Sequence, residues 1–109
     1  MDKLEAQPES LITFDLAVTP DHHAIVTIAG ELDLGGIAPL DAQVRAALAD
    51  GVTRLTVDVS DLRFADSSAI ALWVRWAGAV DHFELLNPAP LLRRVIGAMG
   101  LTAKLGAQS

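Results

Sequence analysis

Val57-Asp58-Val59-Ser60-Asp61-Leu62-Arg63-Phe64-Ala65-Asp66-Ser67-Ser68-Ala69 is the stretch that decides how this chain is read. It begins as a core strand, passes through Ser60 to Asp66, which reads as a loop, and ends on two hydroxyls that open an apolar helix. A serine at such a place stands beside unsatisfied backbone N–H groups and the positive end of the helix dipole. A phosphate can be accepted there with little rearrangement. The arrangement reads as a switch and not as a catalytic centre.

Upstream, Ile12, Phe14, Leu16 and Val18 alternate with Thr13, Asp15 and Ala17, the period-two pattern of a half-buried strand. Thr19-Pro20-Asp21-His22-His23 is a turn cluster, and Ala24 to Ala29 is apolar on both faces apart from Thr27, as in a central strand. The two strands form a hairpin. Gly30 to Gly36 reads as a loop; Ile37, Leu40, Val44, Ala47 and Leu48 then repeat at helical spacing, with Pro39 in the first turn and Asp50-Gly51 as the stop.

Val52, Leu55, Val57 and Val59 mark the next strand. The helix after it, from about Ser67 to Ala77, carries Ile70, Trp73, Val74 and Ala77 on one face, widened by Ala69, Leu72 and Trp76. Phe83 and Leu85 belong to a short strand. Asn87-Pro88 offers an N-cap and first-turn proline before a stripe of Leu91, Leu92, Val95, Ile96 and Met99, with Gly100 as terminator and Leu101 as its apolar contact.

This order predicts a single α/β domain over residues 11–106, after a soluble tail at 1–10. It has a mixed β-sheet, an opening antiparallel hairpin, later strands parallel, and packed α-helices. Parallel strands gather the loops at their carboxyl ends on one edge, where open α/β proteins place their sites. Gly30 to Gly36, Ser60 to Ser68 and Asn87 to Pro90 share that edge, and Asp33 and Asp66 are expected to approach Ser68.

The chain has 109 residues with 51% hydrophobic content, which suits one core. Its 14 acidic and 8 basic residues give a net charge of −6, which opposes nucleic acid and anionic membrane and favours a partner with a basic surface. Cysteine is absent, so disulfides, thiol catalysis and cysteine metal sites are excluded, as suits a reducing cytoplasm. No apolar run approaches membrane-spanning length, so no direct membrane insertion is expected.

The residues resemble the STAS domain family, and within it the bacterial anti-sigma factor antagonists. The resemblance covers roughly Ile12 to Leu105. It rests on Gly30-Glu31-Leu32-Asp33, on the segment from Val57 to Ser68, and on Leu91 to Leu101, in matching order and spacing. It implies partner switching: the unmodified antagonist binds an anti-sigma factor, often a serine kinase, and frees a sigma factor; the kinase phosphorylates the serine, the complex dissociates, and a phosphatase resets it. By motif position the acceptor is Ser68, and the partner-binding edge comprises Asp33, Asp66, Ser67, Ser68 and Ala69. One residue departs from the pattern: Ala69 stands where members with an active phosphosite usually carry glycine. Its methyl favours helix by roughly 1 kcal/mol and is expected to add bulk where a kinase approaches.

Plainer roles stand beside these. Ser67, Ser68 and Asp66 all suit a helix N-cap, and Asp33 suits an ordinary turn. His22-His23 reads as a solvated turn, because adjacent side chains of an extended segment point apart and no spaced ligand accompanies them. Gly35-Gly36 lacks a following Gly-Lys-Ser/Thr, so neither ATP nor another cofactor is expected on this chain. Trp73 and Trp76 read as core, with Trp76 able to reach an edge, and Arg93 and Arg94 as solvent-facing. Constitutive docking as a stand-alone STAS subunit of a transporter or signalling assembly is the first functional alternative. A serine hydrolase is disfavoured because His22, His23 and His82 lie off the Ser68 edge.

Overall fold

The computed structural model describes residues 12–107. The expected tail lies outside the described residues. Strands β1 (Ile12–Val18) and β2 (His23–Leu32) form the antiparallel hairpin, with Ile12 opposite Gly30 and Val18 opposite Ala24. Helix α1 (Leu34–Ala49) leads to β3 (Arg54–Ala65), α2 (Ser67–Ala79) leads to β4 (His82–Leu86), and α3 (Pro90–Ala98) follows. The strands lie side by side in chain order, with β2, β3 and β4 mutually parallel. Two right-handed crossovers that each add the next strand on the same side carry α1 and α2 to one face, where they touch each other.

That face holds the core. Val26, Ile28 and Leu32 of β2, Leu55, Val57 and Val59 of β3, and Leu85 of β4 meet Leu40 and Val44 of α1 and Ile70, Leu72, Trp73 and Trp76 of α2. Each such side chain removed from water contributes roughly 1.5–3 kcal/mol. Trp73 is fully enclosed and its Nε1 has no partner among the described residues. Trp76 is 2% exposed, so it belongs to the core and not to an edge. Its Nε1 donates to Asp41 Oδ1 of α1 at 2.8 Å, tying the two helices together.

Several local expectations are corrected. Strand β2 is central, but only alternate residues are buried; Ile25 and Ala29 are half-buried and Thr27 exposed, because both crossover helices lie on the other face. Ser60 to Asp66 is not a loop: β3 continues to Ala65, paired to the end of β2 through two register shifts, between Thr27 and Ala29 and between Gly30 and Glu31. These bulges absorb a polar sequence into a ladder that pure alternation would not predict. The expected loop at Gly30 to Gly36 shrinks to Asp33, because β2 runs to Leu32 and α1 starts at Leu34. Pro39 thus falls in the second turn of α1, where it removes the N–H that would bond the carbonyl of Gly35. Helix α3 begins at Pro90 with Ala89 as its N-cap; Asn87 adopts φ 60° and turns the chain out of β4 instead. His23 belongs to β2, its Nε2 2.8 Å from Thr56 Oγ1, and only His22 remains in the turn.

Helix stops follow expectation. At the end of α1, Gly51 N–H donates to Leu48 O at 3.1 Å and Val52 N–H to Ala47 O at 3.2 Å, a paired closure that needs the left-handed φ of 103° glycine supplies. The same two bonds close α3, from Gly100 to Gly97 and from Leu101 to Ile96. The chain then folds back so that Leu105 O accepts from Leu85 N at 2.9 Å beside β4.

Candidate functional site

The parallel register of β2 and β3 sets Leu32 opposite Ala65, so the next residue of each strand, Asp33 and Asp66, stands at neighbouring strand ends. Asp66 N–H donates to Leu32 O at 3.4 Å across that gap. Each aspartate caps the helix that follows. Asp33 Oδ1 accepts from Gly35 N at 3.0 Å; Asp66 Oδ1 accepts from Ser68 N at 3.0 Å and Ala69 N at 3.3 Å. Two helix N-termini therefore open side by side, each with a carboxylate bound to its free amides.

Asp66 also accepts a hydrogen bond from the Ser68 hydroxyl. That bond is the main reason its carboxyl is held below the ordinary aspartate range; the Ala69 and Ser68 amides add to the effect, against a smaller opposing cost of burial. Ser67 is exposed and Ser68 half-buried, with the direction of the Ser68 hydroxyl fixed by Asp66. Asp33, Asp66, Ser67 and Ser68 are thus gathered on one edge. Ala69 is not a surface residue. It is 0% exposed, its methyl packed into the core one turn before Trp73, so it neither adds bulk on the outside nor offers a side chain to a partner.

Exposed apolar side chains concentrate around this edge. Leu34, directly after Asp33, is 75% exposed, and Phe64, two residues before Asp66, is 51% exposed. Strand β4 stops at Leu86, opposite Asp58, which leaves Val59 to Ala65 of β3 without a strand on that side. The start of α3 lies there instead, and a groove of about 150 Å³ runs between Leu62, Phe64 and Ala65 and Leu91, Leu92 and Val95. Sequence reasoning missed this surface. Five apolar residues within nine positions form a stripe wider than one packed face can cover: Leu92 and Ile96 turn inward, whereas Leu91, Val95 and Met99 point out.

Histidine chemistry is kept away from this edge. His23, Arg54 and His82 share one rung at the opposite, amino-terminal ends of the parallel strands. They line a separate hollow of about 510 Å³ with Thr56 and Glu84. Among the described residues no group of three or more His, Cys, Asp or Glu is placed to hold a metal ion, and no helix is long and apolar enough to cross a membrane.

A mixed four-stranded sheet with its crossover helices on one face and two carboxylate-capped helix starts at the strand ends defines a small α/β domain with its site on one edge. The chain belongs to the STAS domain family: residues 17–106 match the family described as "Mlab, STAS domain". It is 30% identical over 96 residues, 81% of this chain and 80% of the relative, to an anti-sigma F factor antagonist of Lysinibacillus sphaericus. Among solved structures it is similar to the anti-sigma factor antagonist SpoIIAA in its unphosphorylated form, with a TM-score of 0.74 and 26% identity over 87% of this chain and 84% of that one. It is also similar to the phosphorylated form of the Bacillus cell fate determinant SpoIIAA, with a TM-score of 0.71 and 26% identity over 84% and 86% of the two chains.

Proposed function

We propose that this protein is an anti-sigma factor antagonist that works by partner switching, with Ser68 as the modified residue. The observation that carries the reading is the Ser68 hydroxyl, bonded at the head of α2 to the carboxylate of Asp66, which follows β3 where Asp33 follows the neighbouring β2. The relatives named for anti-sigma factor antagonism, one solved in both unphosphorylated and phosphorylated forms, support it. The exposed Leu34 and Phe64 on either side of the carboxylates give a protein partner apolar area to bury.

The unmodified edge binds an anti-sigma factor, itself a serine kinase, and the sigma factor is freed. Phosphorylation replaces the donating hydroxyl with a group carrying about −1.5 to −2 charges that can only accept hydrogen bonds at neutral pH. The new anion stands against Asp66 and near Asp33. It must compete with Asp66 for the amides of Ser68 and Ala69, and a partner surface fitted to a neutral hydroxyl must now desolvate it. An unmatched charge in an interface costs about 2–5 kcal/mol, a loss of affinity of roughly thirtyfold or more. A phosphatase then restores the starting state. The chain itself does no catalysis in this scheme, and it acts in the cytoplasm, where its partners are.

One specific observation favours a second reading. The matched family description names Mlab; a stand-alone subunit that docks constitutively through the same edge, without phosphorylation, would fit it. Incubation with a panel of bacterial anti-sigma serine kinases and ATP separates the two. Intact mass and peptide mapping are followed for the wild type, Ser67→Ala and Ser68→Ala, together with affinity before and after modification. Phosphate on Ser68 and release of the kinase are expected. A kinase that binds the phosphorylated and unmodified chains equally well would overturn the partner-switching reading.

A further inference from the structure

The groove beside α3 has a composition that selects its occupant. Its walls are Leu62, Phe64, Ala65, Ala89, Leu91, Leu92 and Val95, and Arg63 is the one charged residue that lines it. Arg63 extends from the strand side, 72% exposed, and forms a long, solvent-exposed ion pair with Glu31 at 3.8 Å that leaves most of its guanidinium open. Arg94, outside the lining, is exposed and precedes Val95 on α3. No acidic residue lines the groove, although the chain as a whole carries −6. Leu91, Val95 and Met99, spaced four apart, are 69%, 41% and 51% exposed and make an outward ridge along α3. Of the six exposed large hydrophobic residues among the described ones, Phe64, Leu91 and Val95 line this groove.

We propose that this groove is the anchor site for an amphipathic helical segment of the protein partner, one with an apolar ridge and an acidic rim. The inference rests on the partner-binding reading above and adds to it the kind of segment bound. A volume of about 150 Å³ admits one or two large aliphatic or aromatic side chains and not a folded surface. Helix-in-groove recognition anchors through residues at i, i+3 or i+4, and i+7, the spacing that matches a ridge running along α3. Arg63 in the groove wall, with the exposed Arg94 next to the lining residue Val95, favours acidic residues on the segment and rejects a basic one. The groove is continuous with the switch: Ala65 lines it, and Asp66 is the next residue. One partner can thus hold the groove with a helix while its main surface covers Ser68.

The probe is a synthetic amphipathic helix with leucine at i, i+3, i+4 and i+7 and glutamate at the remaining heptad positions; its twin carries lysine in place of glutamate. Each is titrated into the full-length protein and followed by amide chemical shifts. The acidic helix is expected to perturb Phe64, Ala65, Leu91, Leu92 and Val95, to bind at least tenfold more weakly to Leu91→Asp, and to weaken with added salt. Leu91 is exposed enough for that variant to fold, which its melting curve verifies. Absence of shifts in the groove, or equal binding of the lysine twin, would overturn the proposal. A second arm measures a kinase found to bind the chain: Leu91→Asp is expected to lower its affinity at least fivefold. If the kinase binds and is released by Ser68 phosphorylation yet ignores Leu91→Asp, the groove proposal fails and partner switching stands. If the acidic helix binds the groove and no kinase in the panel binds at all, the groove stands and the kinase-dependent reading fails.

Discussion

At Ser68 charge, capping and accessibility meet in a few atoms. The Asp66 carboxylate accepts the Ser68 hydroxyl and two backbone amides at once. Asp66→Ala should remove the cap and cost about 1 kcal/mol, lowering the melting temperature by about 4–8 °C for a domain of this size. Asp66→Asn, which can still accept from the amides, should lose much less; thermal melts followed by circular dichroism compare them. Ala69→Gly should destabilise by about 1–2 kcal/mol, through lost helix propensity and one buried methyl group. Because that methyl points into the core, the same change should leave the rate of Ser68 modification unaltered. The nearness of Asp33 to Asp66 was legible in the sequence, since parallel strands of known order put their carboxyl ends together. The inward direction of Ala69 was legible only in part. Its spacing of four and seven from Trp73 and Trp76 places it on the apolar sector, but motif comparison alone set it among surface residues.

Elements were recoverable where one chemical pattern dominated. The hairpin, the cores of α1 and α2 and both glycine stops followed from alternation, helical spacing and left-handed caps. The end of β3 did not, because Ser60-Asp61-Leu62-Arg63-Phe64 is polar and irregular, and its strand character comes from β2 through two bulges, a tertiary cause invisible to a local pattern. The C-terminal segment beyond α3 was also unreadable in detail, since it is held by contact with β4. Gly106 there has φ 59°, and a Cβ on it would come 2.8 Å from Phe83 O and 3.2 Å from Glu84 Cα, both backbone atoms that cannot swing aside. Gly106→Ala should therefore cost about 1–3 kcal/mol from backbone conformation alone, with the close contact added. Hydrogen exchange at Leu85, whose N–H is held by Leu105 O, should quicken more than exchange in α1. Gly78→Ala in α2 is the control: nothing lies within 4 Å of its Cβ position, so the change should stabilise by roughly 0.5–1 kcal/mol.

For the whole molecule, acid is the condition that strains the design most. Asp41 of α1 is half-buried, which pushes its carboxyl upward, but the bonds from Trp76 Nε1 at 2.8 Å and Arg45 Nε at 2.9 Å outweigh that and hold it below the ordinary value of 3.8. Asp66 is lowered as well, by the Ser68 hydroxyl first and by the amides of α2. Both groups therefore bind fewer protons in the folded chain than in the unfolded one as pH approaches that range. The stability they contribute is complete above the unfolded value and is lost as pH falls through the lower folded values. Relief of the −6 charge between neutrality and about pH 5 modestly favours compactness, while the loss of the two carboxylates' contribution has not yet begun there. Below pH 3.8 the two effects act together, because the carboxylates that balance Lys, Arg and His are being neutralised while the Asp41 and Asp66 bonds are lost. The urea midpoint should be nearly flat from pH 7 to about 5 and fall steeply below 3.8. In Asp41→Asn/Asp66→Asn the midpoint should start lower at neutral pH and fall less on acidification, since neither side chain has a proton to gain; an unchanged acid limb in this variant would assign the pH dependence to general charge repulsion instead of to these two bonds.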